Sequence, residues 1–187
     1  MASTQTQTAV RPATGTYLVD PTHSGVTFTG RHLMISKVRG RFGVTGGTVT
    51  IAADPNQSSV EATVNVQSLE SGDVKRDEHL RSADFFDAEH YPTITFTSTK
   101  VDDRGDGNFT LVGDLTVRGV TKSVSFEGEY LGASQTPWNS TVVGFTAETV
   151  VNRKDWGLEW NMALETGGVL VGDKITLTID AEAVLQQ

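Results

Sequence analysis

Apolar and polar residues alternate along most of this chain. In the stretch 59–67, apolar side chains take every second position, and polar side chains fill the positions between them. The stretch 173–185 repeats the pattern, with Ile175, Leu177 and Ile179 separated by threonines. Alternation with a period of two places the apolar side chains on one face of a β-strand. The pattern therefore predicts an all-β protein.

Turn-forming sequences divide the alternating stretches into about eight strands. Asp54-Pro55-Asn56, the segment 103–108 with its two glycines, and Arg118-Gly119 each separate two strands. Gly46-Gly47 interrupts a strand and predicts a β-bulge, because glycine tolerates left-handed backbone geometry. The predicted strands are 16–30, 37–53, 59–70, 92–102, 107–118, 120–133, 140–151 and 173–185.

One segment lacks alternation and favours a short helical insert. It follows Asp73, whose side chain can cap the start of a helix, and it extends to Arg81. Leu80, Phe85 and Phe86 form an apolar knob on this insert. The strands around it must bury their apolar faces, and either a closed barrel or a two-sheet sandwich does so.

Composition excludes several classes of partner. The chain has 23 acidic and 15 basic side chains, giving a net charge of −8. Such a surface repels phosphate backbones, so we expect no nucleic-acid partner, and it weighs against docking on an anionic membrane. No run of apolar residues approaches the roughly 18 that a membrane span needs, so we expect no stable membrane insertion. The chain contains no cysteine, which excludes disulfides and thiol catalysis.

The first residues predict a flexible arm at 1–14, followed by one domain at 15–187. The arm is polar and contains Pro12. Its sequence lacks the basic start and apolar run of a secretory signal, so we expect a cytoplasmic protein. A chain from which a leader had been removed would instead be secreted or periplasmic.

The histidines predict no metal site. A zinc ion needs three or four ligands, and no such set is evident among His23, His32, His79 and His90. His32 has the same strand parity as Val26 and Phe28, so it is expected on an inward face. A polar side chain there needs a partner, which is either another buried group or the polar head of a ligand.

Charged and aromatic side chains offer weaker candidates. Strand parity turns the basic side chains of Arg39 and Arg41 outward to solvent, although an arginine at a barrel rim would reach a diphosphate. Local ion pairs and capping account for the acidic residues of the helical insert. Trp156 and Trp160 are expected to pack at a barrel end, and one indole can also lie at a cavity mouth.

Several ordered sequences resemble the YceI-like family of bacterial polyisoprenoid-binding, lipocalin-like proteins. The resemblance runs from about Tyr17 to the C-terminus, and it is carried by Asp20-Pro21-Thr22-His23-Ser24, Arg31-His32-Leu33-Met34, Val38-Arg39-Gly40-Arg41-Phe42, 76–87, 91–96, 113–121, Asn152-Arg153-Lys154-Asp155-Trp156-Gly157 and 171–175. It implies an extended eight-stranded antiparallel barrel with a short helical insert. It also implies a polyprenyl chain in the apolar interior and, in many members, a homodimer.

We therefore predict a protein that binds a long-chain isoprenoid lipid, such as a polyprenyl phosphate or an isoprenoid quinone, for transport, storage or stress protection. No catalytic residue, metal or other cofactor is expected. Strand parity assigns the cavity contacts to Val26, Phe28, His32, Met34, Phe42, Val64, Val66, Leu80, Phe85, Phe86, Ile94, Phe96, Leu115, Phe126, Phe145, Trp156 and Trp160.

Two alternatives remain at the level of sequence. One is an enzyme that acts on an isoprenoid-type lipid in the cavity, with His32, Asp77 and His79 as its candidate residues. The other is a stress or interaction protein whose interior is filled by its own side chains. Sequence alone does not separate them, because interior volume depends on strand tilt and stagger.

Overall fold

The structure of the protein, a computed structural model, describes residues 11–187. One short helix and nine strands make up most of it. They are β1 Gly15–Val19, β2 Gly25–His32, β3 Ser36–Ile51, β4 Ser59–Asn65, α1 Val74–Arg81, β5 Thr93–Gly105, β6 Asn108–Val117, β7 Val120–Gln135, β8 Thr141–Asn152 and β9 Lys174–Leu185. Short 3₁₀ turns occupy Pro55–Gln57, Val66–Ser68 and Arg153–Trp156.

The strands close into an antiparallel barrel with eight positions around its wall. Neighbours along the chain pair from β2 to β3 and onward to β9, and β9 pairs back with β2. Strand β1 occupies the same position as β2, since both lie between β3 and β9. The predicted eight-stranded barrel with a short helical insert is therefore confirmed, and the sandwich is excluded.

The predicted strand 16–30 was wrong in one respect, because a turn divides it into β1 and β2. The backbone N–H of Asp20 donates to Glu182 O at 2.8 Å, and the buried Ser24 hydroxyl bonds both the N–H and the C=O of Glu182. These contacts hold the turn against β9. The sequence Asp20-Pro21-Thr22-His23-Ser24 thus bends the chain while β1 and β2 keep one position in the wall.

Strand parity correctly assigned the two faces of β3. Arg39 and Arg41 are exposed, whereas Phe42, the next residue along the strand, is 3% exposed. Phe42 packs against Phe86, which follows α1, with ring centroids 5.2 Å apart. The helical insert therefore reaches the barrel interior through its aromatic side chains, as the apolar knob predicted.

Helix α1 begins where the sequence predicted. The Asp73 carboxylate accepts a hydrogen bond from the Arg76 N–H at 2.8 Å, which satisfies one of the free donors at the helix start. In the part of the chain that the structure describes, no helix has the length and apolar character needed to cross a membrane.

The bulge predicted at Gly46-Gly47 is present, but the reason given for it was wrong. The β3–β4 register shifts between Val44 and Gly46, yet neither glycine has a positive φ. Gly47 is instead required by close packing of the strands, since an added Cβ would lie 2.5 Å from Glu61 O and 3.1 Å from Ala62 Cα. Around Gly46 such an atom would meet nothing within 4 Å.

We expect Gly47→Ala to lower the free energy of unfolding by about 1–3 kcal/mol, because the clash is with backbone that cannot move aside. Gly46→Ala is the matched control and should be neutral or slightly stabilising. Urea denaturation of both variants measures the difference. Equal stability of the two variants would contradict the packing explanation.

Candidate ligand cavity

The barrel encloses a cavity of about 880 Å³. Such a volume lies at the upper end of the roughly 300–1,000 Å³ typical of ligand pockets. Side chains of the inward faces line it, and many of them, including Phe145, Leu177 and Ile179, are only half-buried because they border this space. The alternative of an interior filled by its own side chains is therefore wrong.

Most of the predicted contact residues do line the cavity. They are Val26, Phe28, His32, Phe42, Val64, Leu80, Phe85, Phe86, Ile94, Phe96, Leu115, Phe126, Phe145, Trp156 and Trp160. Their position is now established, whereas their contact with a ligand stays a prediction.

Two of the predicted residues, Met34 and Val66, do not line the cavity, because in each case the strand ends before the residue. Met34 lies in the β2–β3 turn with φ of 62° and is 53% exposed, so strand parity no longer applies to it. Val66 starts the 3₁₀ turn after β4, and although it is 1% exposed it packs in the wall instead of lining the cavity.

Three segments lie together at one end of the barrel, which we call the helical end. His32, at the end of β2, pairs with Val171, and the Arg153 guanidinium donates to Val171 O at 3.4 Å and to Trp160 O at 3.0 Å. The Trp160 ring contacts His79 of α1, with ring centroids 4.6 Å apart. The β2–β3 turn, the 157–173 loop and α1 therefore surround the same end of the cavity.

Basic side chains border the cavity at the helical end. Arg31, Lys75 and Arg76 line it there, together with His32 and His79. The two carboxylates that also border the cavity lie elsewhere, since Asp180 is in the middle of β9 and Asp103 is at the β5–β6 hairpin. At that opposite end, Arg11 pairs with Asp103 at 2.7 Å. The charged side chains that border the cavity at the helical end are thus all basic, in a chain of net charge −8.

The arm predicted at residues 1–14 falls mostly outside the described residues. Residues 11–14 are described, and Arg11, Pro12 and Thr14 border the cavity at the end opposite to α1. Ala13 O accepts a hydrogen bond from the Tyr17 hydroxyl at 2.8 Å. These contacts place the start of the described chain against the barrel.

Of the three residues considered for catalysis, His32 and His79 border the cavity and Asp77 does not. Asp77 is 8% exposed, does not border the cavity, and accepts hydrogen bonds from the N–H and hydroxyl of Ser71. His79 Nε2 lies 2.9 Å from Asp84 Oδ2, and its ring packs edge-on against Trp160. These contacts give Asp77 and His79 a structural role, because they hold α1 in place on the barrel.

Sequence reasoning missed the importance of Arg153. Its side chain is 5% exposed, and the guanidinium donates to the carbonyls of Gly172, Leu158, Trp160 and Val171. Burial lowers the pKa of Arg153, and the nearby Asp173 carboxylate opposes this shift. The resemblance contained this arginine within Asn152-Arg153-Lys154-Asp155-Trp156-Gly157, but no rule of spacing indicated that it would anchor the 157–173 loop.

The two tryptophans of this region differ in role. Trp156 is 4% exposed, and its Nε1–H donates to Leu115 O at 3.0 Å, which fixes the 3₁₀ turn to β6. Trp160 is half-buried and contacts both His79 and Phe85 beside the cavity. The packing interpretation holds for Trp156, while Trp160 lies where an indole at the cavity mouth was expected.

A small polar cluster lies at the turn between β1 and β2. His23 Nδ1 is 2.8 Å from Asp20 Oδ2 and 3.6 Å from Glu182 Oε1. Hydrogen bonds from Thr22 and then His23 lower the pKa of Asp20 to about 2, and the bond to Asp20 raises the pKa of His23. The cluster has a structural role, because it holds the turn that joins β1 and β2.

Asp20 and His23 make the free energy of unfolding depend on pH, because one contribution is lost at low pH and the other at high pH. The contribution of Asp20 is present above its unfolded pKa of roughly 3.9 and is lost as pH falls towards 2. The contribution of His23 is complete below its unfolded pKa of roughly 6.5 and is lost as pH rises through the raised folded value. Both contributions are therefore present between about pH 4 and 6.5.

We expect NMR titration of the His23 ring to give a pKa above its usual value, and Asp20→Asn to shift that pKa down. Asp87→Asn is the control, because it removes the carboxylate partner of His90 instead, at 2.8 Å. An unchanged His23 pKa in Asp20→Asn would contradict the assigned cause.

Comparison with known proteins gives a consistent result. Residues 17–183 match the family described as YceI-like domain. A UPF0312 protein of Vibrio cholerae is 40% identical over 146 residues, covering 76% of this chain and 77% of that protein.

Solved structures agree at the level of fold. The crystal structure of Burkholderia cenocepacia BcnA matches with a TM-score of 0.74 and 22% identity, covering 88% of this chain and 98% of that one. A polyisoprenoid binding domain from Saccharophagus degradans implicated in plant cell wall breakdown matches with a TM-score of 0.69 and 14% identity, covering 93% and 100%.

Proposed function

The chain belongs to the YceI-like domain family, and we propose that its barrel binds a long-chain isoprenoid lipid and shields it from water. The observation that carries this proposal is the 880 Å³ cavity, lined chiefly by apolar side chains along the length of the barrel. A solved structure of the same fold is described as a polyisoprenoid binding domain, which supports the class of ligand.

The energetics of burial favour a long apolar chain. Transfer of each CH₂ group from water contributes about 0.8 kcal/mol, so ten buried groups contribute about 8 kcal/mol. Ordering a flexible chain and losing its free translation cost about 4–15 kcal/mol. Several prenyl units are therefore needed for stable binding, and a cavity that spans the barrel can accommodate them. This requirement suits a carrier or a store for lipid.

We expect purified protein to take up an added polyprenyl lipid, and Leu177→Trp to reduce the bound lipid per protein several-fold. Leu177 points into the cavity from β9, so a larger side chain there removes space from the ligand. Solvent extraction followed by mass spectrometry measures the lipid.

Thr176→Trp is the matched control, because Thr176 is the neighbouring residue on the same strand and does not border the cavity. It should leave uptake unchanged. Absence of any prenyl lipid uptake by the unaltered protein would overturn the proposed function. Equal loss in both tryptophan variants would show that uptake does not depend on the cavity.

We propose further that the ligand carries an anionic head group at the helical end. Arg31, Lys75 and Arg76 border the cavity there, whereas neither of its carboxylates does. Arg76 donates to Ser71 through Nε and one terminal nitrogen, so part of its guanidinium is already occupied. Lys75 is exposed on α1, where its ammonium can reach a phosphate at the mouth. A phosphate or diphosphate satisfies these donors better than a neutral quinone ring does.

Lys75→Gln should weaken binding of a prenyl phosphate about five-fold and leave binding of the neutral prenol of equal length unchanged. The estimate corresponds to about 1 kcal/mol, the upper end of what an exposed charge pair contributes. Lys100→Gln on β5 is the control, since Lys100 does not border the cavity. Fluorescence competition with both lipids measures the two affinities. An equal effect on prenol and prenyl phosphate would contradict the anionic head group.

A further inference from the structure

The β2–β3 turn presents three consecutive apolar side chains to solvent. Leu33, Met34 and Ile35 are 37%, 53% and 78% exposed. We call these three residues the hairpin tip. Single exposed apolar residues are common on soluble proteins, but a contiguous exposed group marks a surface that contacts another apolar phase.

The backbone of the hairpin tip is strained for the residues it contains. Leu33 and Met34 have φ of 52° and 62°, in the left-handed region, and the Ile35 N–H donates to His32 O at 3.1 Å to close the turn. Turns with two left-handed residues strongly prefer sequences such as Asn-Gly. Bulky side chains at these positions cost stability, so the fold itself gives no reason for them.

A second loop extends the apolar surface. The Leu33 N–H donates to Leu170 O at 2.9 Å, and the Leu170 N–H donates to Met162 O at 3.0 Å. Met162 is 56% exposed, and Gly168 lies beside the Met34 side chain. The 157–173 loop, which Arg153 anchors, therefore supports the hairpin tip from one side.

Basic residues of β2 and β3 flank the hairpin tip, whereas the 157–173 loop beside it carries Glu159, Glu165 and Asp173 and no basic residue. The segment 25–53 contains Arg31, Lys37, Arg39 and Arg41 and no acidic residue, in a chain of net charge −8. All four side chains are exposed, and among the described residues none of them forms a salt bridge. The Arg31 guanidinium donates to Ile35 O at 3.5 Å, which holds its charge over the tip.

We propose that the hairpin tip docks on the surface of an anionic lipid bilayer and brings the helical end of the cavity to the lipid headgroups. Apolar side chains flanked by lysine and arginine are suited to the interface of such a bilayer. Arg31 and His32, which adjoin the tip, also border the cavity. Lipid can then pass between bilayer and barrel without crossing water. This inference rests on the proposed function, since it assigns the source of the ligand.

Vesicle flotation tests the docking directly. We expect the protein to float with vesicles of phosphatidylcholine containing phosphatidylglycerol, and to float less with phosphatidylcholine alone or at high salt. The variant L33N/M34G/I35S should lose this association. Its melting temperature should stay the same or rise, because Asn-Gly relieves the strained turn, so loss of binding cannot be attributed to unfolding.

Matched controls test whether vesicle binding depends on the hairpin tip or on exposed apolar and basic residues in general. Trp138→Ser removes a larger and more exposed apolar side chain, at 84%, from the β7–β8 hairpin at the opposite end, and it should leave flotation unchanged. K37Q/R39Q should weaken binding to anionic vesicles by up to about 25-fold, since each of the two cations near such a surface contributes about a five-fold change. Lys100→Gln should have little effect.

Two routes of lipid delivery distinguish failure of this inference from failure of the proposed function. The L33N/M34G/I35S variant should still take up prenyl phosphate added from ethanol, but should load slowly from vesicles. If the unaltered protein takes up ethanol-delivered lipid and never associates with anionic vesicles, docking is overturned and lipid binding stands. If it associates with vesicles but takes up no prenyl lipid by either route, the proposed function fails.

Other occupants of the hairpin tip give different outcomes. If a second copy of the chain covers the tip, sedimentation velocity will show a dimer that dissociates in L33N/M34G/I35S, and vesicle binding will be absent. If a protein partner covers it, the purified protein will remain monomeric and will not float. Either result overturns the bilayer proposal. Flotation that is lost equally in Trp138→Ser would also overturn it.

Discussion

Closure of the sheet is the constraint on which the other features depend. Strand β3, 16 residues long, forms hydrogen bonds with β1 and β2 on one side and with β4 on the other, so the ring of paired strands has no free edge. Once the ring closes, strand number and stagger fix the interior width, whatever side chains fill it. The eight apolar faces do not fill that width, and a cavity remains.

The insert and the 157–173 loop then give the two ends of the barrel different characters. Phe86 carries the insert into the interior against Phe28 and Phe42, while Arg153 binds the loop through its carbonyls. A buried guanidinium is costly unless its donors are all used, and here several carbonyls accept them. One polar anchor, Arg153, and one aromatic cluster thus hold an end at which basic side chains border the cavity.

Sequence periodicity correctly predicted which side chains face inward or outward wherever a strand is regular. Arg39 and Arg41 face outward and Phe42 inward because β3 stays regular between them. The same rule failed at Met34, because the strand ends at His32 and parity has no meaning beyond it. It gave no information on Arg153 either, since its acceptors are backbone carbonyls of a loop that has no periodic pattern. Turns and loops needed the three-dimensional structure.

The net charge of the whole chain does not predict the charge of each part of its surface, and the reason is physical. Net charge governs the field at long range, but salt screens exposed charges beyond about 8 Å under physiological conditions. At contact, a bilayer experiences only the charges next to it. Next to the hairpin tip, the paired residues Arg31 and Lys37 of β2 and β3 supply cations, although the chain carries −8 in total. The overall negative charge weighs against adsorption through other faces, so the same composition that opposes general membrane binding restricts contact to the hairpin tip and orients the cavity towards the bilayer.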